Sequence, residues 1–234
     1  MNENGKDVDV KKYKGMIGSL IYLTASRPNI MFSMCICARY QLSHKESHLK
    51  VVKRILMYLH GTSKYGLWYS KERDFYLVGY TDYNLAGFKS DRKSTSGTCH
   101  IFSNSLVSWH SEKQVSVTLS IAEAENVAPG SCCAQILWLK QQLLDFDIKL
   151  QRILIMCDNT SAINLIKNTK LHYRIKHIEI RHHFLHDHVE KGDVVFEHVN
   201  SKNQFVDIFT KTLATEPFFN IQRELRILDI SNLT

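Results

Sequence analysis

The sequence predicts an α/β fold: a mixed five-stranded sheet flanked by helices, with a small helical segment ahead of it. Two short apolar runs of strand length, Phe75 to Thr81 and Ile153 to Cys157, each end on an acid, Asp82 and Asp158. Between them stand two more runs of strand character, Thr95 to Phe102 and Leu106 to Trp109, around a Ser103-Asn104-Ser105 turn, and a fifth, Val194 to Val199, comes later. Helical patterns follow the meander and the second acid, so strands and helices alternate as a mixed sheet requires.

Taken in order, Tyr13 to Tyr40 reads as helical with a break at Ser26-Arg27-Pro28-Asn29, because proline and the residue before it favour a turn and a fresh helix start. Ser47 to His60 places Leu49, Val52, Ile55, Leu56 and Leu59 on one face and Lys50, Lys53 and Arg54 on others, and Gly61 ends it. Tyr65 to Asp74 is a connector with some strand character. After the strand ending at Asp82 comes a basic turn, Asn84 to Ser94, then the two further strands of the meander, with Val115 to Leu119 a further strand segment.

The first long helix starts near Ser120, an N-cap with Glu123 at capping-box spacing, and runs toward Leu144. Pro129 falls inside it, and an interior proline costs about 3 kcal/mol, so a kink or interruption is expected there. A helix over 160–167 follows Asp158, then a polar basic loop, 168–176. A histidine-rich helix spans 177–189, where His182 and His186 stand one turn apart and a zinc site is conceivable beside the plainer reading of solvated rings. Helices over 204–213, carrying Asp207, and 218–228 complete the chain.

With 234 residues and 44% hydrophobic content the chain has ample material for a core. No run reaches the roughly 18 apolar residues of a membrane span, and the charged start is unlike a secretory signal, so an intracellular protein, of cytoplasm or nucleus and not secreted, is expected. Six cysteines without paired C-x-x-C spacing read as reduced core residues. The net charge of +7 lies wholly in residues 1–74, with 13 Lys+Arg against 6 Asp+Glu, while the remainder balances at 17 against 17. Such a basic segment suits a polyanion such as nucleic acid, or simply a soluble surface.

An acid closing a buried strand must be paired, hydrogen-bonded or metal-bound, so Asp82 is either a turn residue or a ligand. With Asp82 and Asp158 on neighbouring strand ends, and Glu125 and Asp207 facing them from flanking helices, four carboxylates would repel one another without cations among them. Mg²⁺ or Mn²⁺, as a pair about 3.5–4 Å apart that clamps an in-line phosphoryl displacement, answers that need and points to a metal-dependent phosphodiesterase.

A run of ordered landmarks extends this reading: Gly18-Ser19-Leu20-Ile21-Tyr22-Leu23 with Arg27-Pro28, Arg92-Lys93-Ser94-Thr95-Ser96-Gly97, Leu106-Val107-Ser108-Trp109, Ala122-Glu123-Ala124-Glu125, Cys157-Asp158-Asn159, Lys176-His177-Ile178-Glu179 and Val206-Asp207-Ile208-Phe209-Thr210-Lys211. From Tyr13 to Leu228 the chain resembles the C-terminal end of the Pol polyprotein of copia-type LTR retrotransposons. The resemblance implies that residues 1–70 are the end of a reverse transcriptase and 71–234 a ribonuclease H-like domain that cuts RNA in RNA:DNA hybrids with two Mg²⁺ (or Mn²⁺) ions. The rest of the Pol polyprotein is then a further partner, and no membrane is involved. Carried over, Asp82 would bridge both ions, Asp207 would share the ion that activates water, and Glu125 and Asp158 would hold the other. Glu125, rather than Glu123, takes this role because the family's Ala-Glu-aromatic triplet aligns with Ala124-Glu125. Arg92, Lys93, Ser94 and Ser96 are the implied phosphate contacts.

The chain departs from the family at Asn84, where a second Asp is usual, at Ile121 for Thr, at Asn126 for an aromatic residue, and at Pro129 in the helix carrying Glu125. It contains no Tyr-x-Asp-Asp polymerase motif, and a fragment of a decayed element is expected. The alternative to an active nuclease is therefore an inactive relic that keeps the fold and at most binds nucleic acid.

Overall fold

Strand β2 (Leu77–Asn84) is the centre of the sheet, and its two edges pair differently. On one side it pairs antiparallel with β3 (Thr95–Phe102), which pairs antiparallel with β4 (Ser105–Lys113) through the tight turn at Ser103 and Asn104, both in the left-handed region with φ of 47° and 65°. On the other it pairs parallel with β5 (Leu154–Cys157), which pairs parallel with β6 (Val195–His198). The order β4-β3-β2-β5-β6 is the mixed five-stranded sheet expected from the sequence. The computed structural model describes residues 8–71, 74–84, 94–113, 121–150, 152–167 and 176–232, without the side chains of 84, 121–127, 176–182 and 232.

Strand alternation assigns the helices to faces. Gly79 and His100 share one face, where α4 (Ile121–Asp145) packs so closely that a Cβ at Gly79 would lie 2.8 Å from Cys132 Sγ. Asp82 and Gly97, in register with each other, share the opposite face, which receives α7 (Asp207–Thr210). The core lies on the α4 side, where Leu77, Cys132, Ile136, Ile155 and Phe196 join Ile166 of α5 (Thr160–Lys167) and Leu185 of α6 (Lys176–Glu190). Helix α4 continues through Pro129 where the sequence predicts a kink or interruption. Buried Ala128, Cys132, Cys133 and Ile136 anchor that stretch, and their burial offsets the lost helical hydrogen bond.

The chain divides into two compact units, residues 1–68 with 227–234, and 69–226. In the first, α1 (Val10–Leu23) starts at Asp9, whose carboxylate accepts from the backbone N–H of Lys11 at 2.8 Å. Pro28 opens a 3₁₀ turn into α2 (Met31–Ala38), and α3 (Glu46–Gly61) completes the bundle around Tyr13, Ile17, Leu20, Met34 and Val52. Strand β1 (Tyr65–Leu67) pairs antiparallel with β7 (Ile227–Asp229). The sequence predicts a helix over 218–228; the observed α8 (Thr215–Glu224) stops earlier because Arg226, at φ 57°, turns the chain into β7. The tail thus pairs with residues 65–67, whereas the sequence reading groups it with 71–226.

All six cysteines are free and all but Cys35 are buried. No helix among the described residues is long and apolar enough to cross a membrane.

Candidate active site

The parallel pairing of β2 with β5 puts two acids side by side. Thr81 is in register with Cys157, so the next residue of each strand, Asp82 and Asp158, arrives at the same edge of the sheet. Asn159 then fixes the turn after β5, its Oδ1 accepting from the backbone N–H of Ser161 at 2.9 Å and of Ala162 at 3.1 Å as the start of α5. Asp207 comes from the other face. Gly97 gives α7 room to seat, since a Cβ there would stand 2.6 Å from Thr210 Cγ2 and 2.8 Å from Val206 Cγ1.

The sequence predicts a helix over 204–213, but α7 is only 4 residues long. Gln204 is held extended with its Nε2 donating to the Thr81 carbonyl at 3.0 Å, and Lys211 is extended again at φ −130°, so helix is confined between them. This short helix opens on Asp207.

Carboxylate oxygens of Asp82, Asp158 and Asp207 lie within 4.8 Å of one another. Asp82 and Asp207 are buried and Asp158 is half-buried. Asp82 and Asp158 line a cavity of about 420 Å³, together with Pro129, Asn159 and Lys211. Thr210 Oγ1 donates to Asp82 Oδ2 at 2.6 Å, and Ser201 Oγ donates to Asp158 Oδ2 at 3.5 Å. Burial, reinforced by the neighbouring Asp82 and Asp158 and opposed by Lys211, raises the Asp207 carboxyl to about 6.

Glu125 lies in α4, and its side chain is outside the described residues; Ala128 and Pro129, three and four positions on, line the cavity. Arg92 and Lys93, the Ser120 cap and the 115–119 segment also fall outside them. Ser94 and Ser96 are both buried, and Ser94 Oγ accepts from the Tyr83 hydroxyl, so little of either is presented at the surface. In the histidine-rich helix, His186 pairs with Glu190 at 3.7 Å and His188 with Asp193 at 2.8 Å.

Over 223 residues, 95% of its length, the chain is 34% identical to the retrovirus-related Pol polyprotein from transposon RE1 of Arabidopsis thaliana. Over 207 residues, 88% of its length, it is 33% identical to the counterpart from transposon TNT 1-94 of Nicotiana tabacum. The chain belongs to the retrovirus-related Pol polyproteins of copia-type transposons. It spans 15% and 16% of the length of these two Pol relatives. No protein-family model matches it. A solved ribonuclease H1 in complex with an RNA/DNA hybrid is similar at a TM-score of 0.41 and 12% identity, over 57% of this chain and 93% of that one. The second unit of this Pol segment, residues 69–226, holds the mixed five-stranded sheet, with α4 on one face and α7 on the other.

One residue in the acid cluster of the Pol segment escapes the sequence reading. Lys211 Nζ stands 2.8 Å from Asp207 Oδ1 and 3.3 Å from Asp82 Oδ2. Burial works to lower its pKa, yet Asp82, Asp207 and Asp158 together hold the ammonium above the ordinary lysine range. The available signal is its i,i+4 spacing from Asp207.

Proposed function

We propose that this Pol segment is an endonuclease of ribonuclease H type, hydrolysing the RNA strand of an RNA:DNA hybrid with the help of two divalent ions. The observation that carries the reading is the meeting of Asp82, Asp158 and Asp207, from three separate parts of the chain, with Asp82 and Asp158 lining one cavity. The donor set fits the ions. It consists of hard carboxylate oxygens and no thiolate or imidazole, which suits Mg²⁺ or Mn²⁺ over zinc or copper.

In this proposal Asp82, Asp158 and Asp207 hold the ions, with Glu125 as the fourth ligand. When bound, such ions activate the attacking water and neutralise charge on the leaving oxygen. The protein's own part is placement. Register between β2 and β5 sets Asp82 beside Asp158, Thr210 fixes the plane of the Asp82 carboxylate, and α7 delivers Asp207. An RNA strand is distinguished by its 2′-hydroxyls and by the shape of the hybrid groove rather than by base sequence.

The test is incubation of the purified chain with end-labelled hybrid and Mg²⁺, beside Asp158→Asn and a chelated control. Cutting of hybrid RNA to 3′-hydroxyl and 5′-phosphate ends, absent with chelator and with the variant, is the expected result. No cutting, or equal cutting by the variant, overturns the nuclease reading. Hybrid binding without cutting would favour the inactive relic.

A further inference from the structure

Lys211 enters the carboxylate cluster from the residue that ends α7, on a flexible four-carbon stem, and adjoins the cavity with its side chain 32% exposed. Its ammonium contacts two of the three acids at once, Asp207 at 2.8 Å and Asp82 at 3.3 Å. Two buried carboxylates brought this close are strongly unfavourable without a cation between them. Two of the carboxylates that would hold a divalent ion are therefore the ones that hold Lys211.

We propose that Lys211 is a resident counter-ion: in the metal-free chain it bridges Asp82 and Asp207 and offsets part of their charge, and it must withdraw for those carboxylates to take a divalent ion. This rests on the metal-binding reading given above. The consequence is competition. Every unit of free energy by which Lys211 stabilises the metal-free cluster is subtracted from the observed metal affinity, because the two cations compete for the same two carboxylates. Lys211 thereby sets the metal concentration at which the site fills. The partial exposure of the side chain gives it a direction of withdrawal, toward the cavity mouth. A purely structural tie between α7 and β2 would behave differently, supporting the fold equally with and without metal and leaving metal affinity unraised when removed.

The experiment is Mn²⁺ binding by calorimetry on the full chain without nucleic acid, comparing wild type, Lys211→Met, Lys211→Arg and Asp158→Asn. The Met variant is expected to bind Mn²⁺ about tenfold more tightly than wild type, to melt at a lower temperature in chelator, and to regain most of that difference at saturating Mg²⁺. The Arg variant should stay close to wild type, and Asp158→Asn should bind more weakly. A second measurement needs no variant: acylation of Lys211 in the wild-type chain, followed by peptide mass spectrometry, should be several-fold faster with Mg²⁺ than with chelator. Lys140, paired with Asp193 at 3.5 Å on other elements, serves as the unchanged control. If Met binds Mn²⁺ no more tightly than wild type, or if Lys211 reactivity is indifferent to Mg²⁺, the counter-ion role is overturned while metal binding stands. If neither wild type nor Lys211→Met takes up Mn²⁺, the metal reading falls and this inference with it. Should the Met variant fail to fold, the acylation result decides alone.

Discussion

The hydroxyl of Thr210 donates to Asp82 Oδ2 at 2.6 Å, joining residues 128 positions apart. Thr210 is fully buried, so Thr210→Val keeps the shape and removes the closer of two donors to Asp82 Oδ2, the other being the Lys211 ammonium at 3.3 Å. A loss of about 1–3 kcal/mol in chemical denaturation is expected. In the proposed reaction the same change frees the Asp82 carboxylate to rotate, and hybrid cleavage should fall by about 10²-fold. Unchanged stability and cleavage would deny Thr210 any part in placing Asp82.

Gly97 sits in register with Asp82 beneath α7. A methyl group there would meet Thr210 Cγ2 at 2.6 Å and Val206 Cγ1 at 2.8 Å, so Gly97→Ala must lift the short helix. Overpacking of this kind costs about 1–3 kcal/mol. Because α7 carries Asp207, calorimetric Mn²⁺ affinity should fall together with the melting temperature. A variant that loses stability but keeps full Mn²⁺ affinity would mean that α7 shifts without carrying Asp207 away.

These two relationships mark where sequence reading stops. Asp82 and Asp158 are legible because each closes its own apolar run, so position and role share one local signal. Asp207 has no such local signal, since its segment reads as an ordinary helix that joins the cluster only if it faces the strand ends, and what confines α7 is a side chain, Gln204, bonded to a strand far away in sequence. The roles of Gly97 and Thr210 depend on what packs against them from over a hundred residues away. Lys211 carries a local signal, its spacing from Asp207, but an i,i+4 acid–base pair is common on solvated helices and says nothing of Asp82. The three-residue strand β7 is too short for periodicity, and its partner β1 lies far back in the sequence, at Tyr65–Leu67.

His100 is fully buried against α4, its ring 3.2 Å from the Cys132 carbonyl. Burial pushes the imidazole down to about 4, against the weaker opposing effect of that hydrogen bond. In the unfolded chain the ring titrates near 6.5. Between those values the unfolded chain binds a proton that the folded one refuses, so this contribution to stability is lost as pH falls from about 6.5 toward 4. His100→Gln should remove that part of the acid sensitivity. Melting temperatures of both proteins across this range check it, the difference between them being the observable; parallel curves would count against it.

Asp207 works in the opposite sense over much of the same range. Its carboxyl, raised to about 6 first by burial and then by Asp82 and Asp158, compares with an unfolded value near 3.9. The folded chain therefore holds a proton that the unfolded chain has released, and stability falls as pH rises from about 4 through 6. Measured in chelator, Asp207→Asn should flatten this decline, because an amide cannot ionise among the neighbouring carboxylates. The wild-type and Asn curves are expected to run closest together near pH 4 and to separate up to about pH 6, with the Asn variant gaining relative to wild type. A constant separation would place the Asp207 carboxyl back among ordinary carboxylates.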